Sequence, residues 1–131
     1  MICCFNRCYR VLSCLALLVA ILLGVGCGSE RDAKERVARA ESLRIDSPEE
    51  AMELLRGVSL EDFSSKRERA HYALVRSEVY YYNFMDITAD SLAKPMMEYY
   101  LESDGHAERV RALLQCSFVA KSNGRLAEAM V

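Results

Sequence analysis

The chain has no tryptophan, and only two prolines and two histidines among its 131 residues. So few prolines, with little strict alternation of polar and apolar residues, argue against a sheet. Net charge is only −2, and no basic stripe is present, so nucleic acid is a poor candidate partner. Cysteine is scarce where it would matter. Of the six, Cys116 alone lies beyond residue 27, which leaves no internal disulfide for the later part of the chain. No cysteine stands at metal-ligand spacing with His71 or His106. No nucleophile–base or carboxylate pair is visible, so an enzyme is the least expected class, and no cofactor is expected.

Charge is missing altogether from residues 11 to 27. All 19 acidic and 15 of the 17 basic residues follow Cys27, giving that part a net charge of 15 − 19 = −4. The start has the parts of an export signal: Arg7 and Arg10, an apolar run from Val11 to Leu23, then Gly24-Val25-Gly26 before Cys27. Val11 to Val25 is shorter than the ~20 residues a membrane span needs, so cleavage is expected over a retained transmembrane helix. Roughly one hundred residues remain, enough for one domain with a modest core.

Leu23-Gly24-Val25-Gly26-Cys27 resembles the lipobox of bacterial lipoproteins, with Gly24 where that pattern usually has leucine. The resemblance implies lipid on the Cys27 thiol and cleavage just before it. One acyl chain holds a protein to a membrane only marginally, and mature bacterial lipoproteins carry three. Gly28 follows the cysteine, and not the aspartate that signals inner-membrane retention in many such proteins. The resemblance therefore implies the outer membrane. The expected divisions are residues 1–26 as signal peptide, 27–30 as lipidated cysteine and tether, and 31–131 as the folded domain, held close to the bilayer.

Beyond Ser29 the pattern is helical. Ser47-Pro48-Glu49-Glu50 and Ser65-Lys66-Arg67-Glu68 read as helix starts with capping boxes. Asp104-Gly105 and Asn123-Gly124 read as turns. Helices are expected over about 30–45, 48–57, 65–84, 91–102, 106–122 and from 124 onward. Pro95 either opens the fourth after a cap at Lys94 or bends a helix begun at Asp90. In the third, Ala70, Ala73, Leu74, Ser77, Tyr80, Tyr81 and Phe84 mark one face, with Arg69, Arg76 and Glu78 opposite. In the fifth, Val110, Leu113, Leu114, Ser117 and Ala120 make a similar stripe. Short connections and small residues at Ala70, Ala73, Ser77, Ser117 and Ala120 suit antiparallel helices in close contact.

Residues 113–129, from Leu113 and Cys116 through Ser117, Gly124 and Leu126 to Ala129, resemble one tetratricopeptide repeat. Ser47 to Leu55 resembles the second helix of another, with Ala51 as its small residue. The whole stretch is similar to bacterial lipoproteins with tetratricopeptide-like (TPR) repeats. The expected fold is therefore all-α, with antiparallel helix pairs stacked as a short TPR-like α-solenoid. Val131 falls within the second helix of the last repeat, and a solenoid needs a polar cap. Either the chain is a piece of a longer protein, or that face meets a partner.

Tyr80-Tyr81-Tyr82-Asn83-Phe84 and Tyr99-Tyr100 concentrate the aromatics. Tyr80, Tyr81 and Phe84 are expected in the core, and Tyr82 on the surface. The histidines are expected in solvated or structural roles, with Asp104 capping the helix near His106. Cys116 is expected as a small buried hydrophobe. Asp86 and Asp90 read as caps. The expected function is non-catalytic binding of a protein or peptide by a lipid-anchored envelope protein. Cys27 is the candidate lipidation site, and Tyr72, Arg76 and Tyr82 are candidate partner contacts. Alternatives are a sugar-binding lipoprotein of a nutrient-uptake system, and the sensory front end of a longer signalling protein.

Overall fold

The computed structural model describes residues 28–87 and 90–125. The chain divides between Asp32 and Ala33. Of the first unit, residues 28–32 are described, and they are helical. The second, from Ala33 onward, carries the core.

All described elements are helical. Helix α1 covers residues 28–43, α2 is Pro48–Leu55, α3 is Lys66–Tyr82, α4 is Asp90–Tyr100 and α5 is His106–Ser122. A 3₁₀ turn at Leu60–Asp62, not expected from the pattern, joins α2 to α3. Its start is closed by a capping box in which the Ser59 amide donates to Asp62 Oδ2 at 2.8 Å. The sixth expected helix, with Leu126 and Ala129, lies outside the described residues, as does Cys27.

The caps are formed in part. Ser65 Oγ accepts from the Glu68 amide at 3.1 Å, as its spacing requires. Ser47 occupies the cap position of α2 with Pro48 behind it, but its side chain makes no capping bond. The N-cap of α5 is Gly105, which has no side chain to cap with, and not Asp104. Arg36 of α1 closes the other end of α2, donating to the carbonyls of Leu54 at 2.8 Å and Arg56 at 2.5 Å. Pro95 stands inside α4, which starts at Asp90; it does not open the helix.

Helix α3 is central. It packs on α2, α4, α5 and the 3₁₀ turn, and α4 also packs on α5. Being surrounded, it buries residues nearly all round: Ala70, Tyr72, Ala73, Leu74, Val75, Ser77, Glu78 and Val79. That corrects the one-faced reading, which placed Glu78 on the outer side. The core is completed by Ala33, Val37 and Ala40 of α1, Ala51 and Leu55 of α2, Leu92, Met96 and Tyr100 of α4, and Ala112 and Val119 of α5. Phe63 and Tyr72 pack their rings 5.3 Å apart beneath the 3₁₀ turn.

Two apolar stripes are turned from their expected sides. In α5 the buried residues are Ala112, Gln115, Val119 and Ala120. Val110 is 65 % exposed, Leu114 51 % and Leu113 43 %, so of the expected stripe only Ala120 is buried. The small residues Ala112 and Ala120 let α5 approach its neighbours closely, which the bulky stripe would prevent. At the end of α3, Tyr80 is half-buried against the core, but Tyr81 is 44 % exposed and Phe84 99 % exposed. Phe84 lies past the last helical residue. There the Phe84 amide bonds to the Tyr81 carbonyl at 3.0 Å and the Met85 amide to the Tyr80 carbonyl at 3.0 Å. This is the Schellman closure, and it puts Phe84 at φ 56 in the left-handed region. Helix α5 ends by the same pair of bonds, with Gly124 at φ 74 in the equivalent place.

Candidate functional site

A chain of charged groups joins α1, α3 and α5. Glu78, in the middle of α3 and almost wholly buried, accepts two bonds from Arg111 of α5: Nε to Oε1 at 2.8 Å and Nη2 to Oε2 at 2.7 Å. Arg44, just beyond α1, places Nε 2.9 Å from the same Oε2. Arg111 Nη2 also donates to Glu41 Oε1 of α1 at 2.8 Å. Glu41 Oε2 meets His71 Nε2 of α3 at 2.8 Å. The forked guanidinium fits this task, since its donors reach two carboxylates at once.

The electrostatics follow from this geometry. The hydrogen bond from His71, reinforced by Arg111, holds the Glu41 carboxyl at a pKa of about 2 against the opposing effect of burial. Hydrogen bonding to Glu78, then to Glu41, raises Arg111 further above its already high value. Tyr100 beside this chain is pushed up to about 12 by burial. A buried carboxylate in α3 is tolerable only because cations from the two flanking elements neutralise it.

Over the open side of this chain lies a cleft of about 640 Å³. Lys34, Ala38 and Glu41 line it from α1, Arg67, Glu68 and His71 from α3, and Glu108 and Arg111 from α5. Tyr99 and Tyr100 line it from α4. The positions on α1 and α3 recur at three and four residues, so each helix turns one polar face to the same space. The lining offers both charge signs and aromatic surface. Among the described residues no group of three or more His, Cys, Asp or Glu could hold a metal ion.

The three candidate contacts fall elsewhere. Tyr72 is 2 % exposed and its hydroxyl donates to the Val58 carbonyl at 2.6 Å. The Arg76 guanidinium donates to the Val58 carbonyl at 3.0 Å, to the Tyr80 hydroxyl at 3.0 and 2.8 Å, and to the Tyr72 hydroxyl. Tyr72 and Arg76 are thus brought together, but as a clasp that holds the segment after α2 onto α3. A smaller hollow of about 320 Å³ opens beside it. As placed, Tyr72 offers no surface to a partner. Tyr82 is half-buried and meets Tyr81 edge to face at 5.4 Å, apart from the clasp. Cys116 is half-buried against the core, with its thiol pushed up to about 11 by burial. His106 is exposed, its Nδ1 3.1 Å from the Asp104 carbonyl.

Sequence reasoning did not find Glu41, Glu78 or Arg111, and it gave His71 a solvated or structural role without naming Glu41 beside it. Their separations along the chain are 30 to 70 residues, which no local pattern reports. One signal was present: Glu78 sits within a stretch of α3 whose neighbours are nearly all apolar. No known protein family, curated protein or solved structure matches the chain.

Proposed function

We propose that the protein is a non-catalytic, lipid-anchored component of the bacterial cell envelope that binds a protein or peptide in the cleft between α1, α3 and α5. The observation that carries this reading is the cleft itself. Helices α1, α3, α4 and α5 line it together, and a concave surface shared by several helices is what a TPR-like solenoid offers a partner. Its paired charges and the exposed edge of Tyr99 suit a peptide backbone and mixed side chains better than an apolar small molecule. The lipid anchor rests on the apolar run and small residues before Cys27, and the outer membrane on Gly28 after it. No described helix is long and apolar enough to cross a membrane.

The test takes the full chain in detergent against a displayed library of random peptides. A selected peptide is expected to bind in the micromolar range and to lose at least tenfold in affinity on Arg67→Glu, an exposed lining position chosen to spare the fold. No selectable peptide, or binding indifferent to Arg67→Glu, would refute the cleft as the site. Labelling with a fatty acid, native chain against Cys27→Ala, tests the anchor separately; equal labelling of both rules out Cys27.

A further inference from the structure

The most unusual residue in the structure is Phe84. A bulky side chain with positive φ is an outlier, strained where glycine would not be. Here the cost is met for a side chain that is 99 % exposed and so gains no burial within the chain. At the matching end of α5 the same closure uses Gly124. Backbone strain of this kind collects at functional positions.

The surroundings define a surface. Met85 is 52 % exposed, and Tyr81 stacks on Phe118 of α5 with ring centres 4.5 Å apart. Beside them opens a hollow of about 400 Å³, lined by these four residues together with Asp86 and Lys121. No ion pair among the described residues uses Asp86 or Lys121. One patch therefore carries both an aromatic protrusion and a hollow, and both an unpaired acid and an unpaired base.

We propose that this surface is a homodimer interface, in which Phe84 of each copy enters the hollow beside the stacked Tyr81 and Phe118 rings of the other and Asp86 of each copy pairs with Lys121 of the other. A two-fold contact places the same patch on both partners, so the patch must be complementary to itself in shape and in charge. This one is. A lipid surface fits it less well, because the exposed Asp86 follows Phe84 and Met85 directly and would have to be carried into the interface together with them. The proposal is independent of the cleft and of what the cleft binds.

The test is sedimentation equilibrium of the full chain in a density-matched non-ionic detergent. A concentration-dependent monomer–dimer equilibrium is expected. Phe84→Gly is expected to raise its dissociation constant at least tenfold, as loss of a buried phenylalanine requires. That variant relieves strain, so helical circular dichroism is expected to stay native. Lys121→Asp alone should weaken the dimer, and adding Asp86→Lys should restore it. A benzophenone amino acid at position 84, activated in cells, should give a product of twice the chain mass containing peptides of this chain only. A chain that stays monomeric up to ~100 µM would overturn the proposal. So would a dimer indifferent to Phe84→Gly, a double charge exchange no better than the single one, or cross-linking only to a different protein or to lipid.

Discussion

Replacing Arg111 by methionine removes the cation that joins α3 to α5 and reaches α1. Methionine keeps most of the side-chain volume, so the effect reports charge and hydrogen bonding and not a cavity. Three donated bonds are lost, two to Glu78 and one to Glu41. Glu78, whose side chain is 7 % exposed, is left with Arg44 alone. Breaking a fully buried pair by removing one partner costs about 3–5 kcal/mol. The Arg111 side chain is 27 % exposed, and Arg44 still neutralises part of the carboxylate, so the expected cost is lower, about 2–3 kcal/mol. For a domain of about one hundred residues that lowers the melting temperature by roughly 10–20 °C. The assay is urea and thermal unfolding of the full chain in detergent, followed by helical circular dichroism. Adding Glu78→Met should recover part of the loss, because the stranded carboxylate goes too. An Arg111→Met chain within about 0.5 kcal/mol of the native one would refute the argument that this guanidinium ties the helices together.

Three further outcomes follow from the same structure. Glu41 ionises at about 2 when folded and near its ordinary 4.5 when unfolded, so the unfolded chain binds more protons between those values. Its contribution is complete above about pH 4.5 and is lost as pH falls through about 2, and Glu41→Gln should flatten the stability profile in that window. At concentrations below the dimer dissociation constant, Phe84→Gly should raise stability by about 0.5–1 kcal/mol, the relieved left-handed strain less the added freedom of the unfolded chain, as read by urea midpoints; a loss of stability there would contradict the strain argument. With its thiol at about 11, Cys116 is ionised at roughly one part in a thousand at pH 8. Its alkylation, followed by mass spectrometry of the peptide that contains it, should therefore be at least a hundredfold slower in the native chain than in denaturant, and equal rates would place the thiol in solvent.

The helices were legible because their signals are local. Ser65 followed by Glu68, Pro48 after Ser47, and the three-and-four spacing in α3 and α5 each lie within one or two turns. What the spacing could not choose was the side. In α5, Val110, Leu113, Leu114 and Ser117 form one stripe, and Ala112, Gln115 and Val119 form another of the same period. The decision rests on how near the neighbouring helices come, and there small side chains win over large ones. In α3 the reading of one buried face failed for a related reason: a helix packed on several sides has no free face, so even Glu78 is drawn inside and must find cations. Phe84 was read by hydrophobicity as core, yet the helix stops two residues earlier and the chain reverses there. Asn-Gly announces such a stop at residue 124; Asn83-Phe84 gives no such notice. The cleft was the least legible part, since Glu41, His71, Glu78 and Arg111 meet only after three helices have packed. Tyr72 and Arg76 were singled out by residue type, and type alone does not separate a clasp inside the fold from a contact outside it.

The central claim is that the cleft framed by α1, α3 and α5 receives the partner. The most direct measurement is nuclear magnetic resonance of the full chain in detergent, with the His71 ring and the Arg111 side chain labelled, during titration with a library-selected peptide. Both sets of signals should move in step and saturate at the affinity measured independently, while those of Phe84 and Phe118 stay in place. Saturable peptide binding that leaves His71 and Arg111 unmoved would contradict the account.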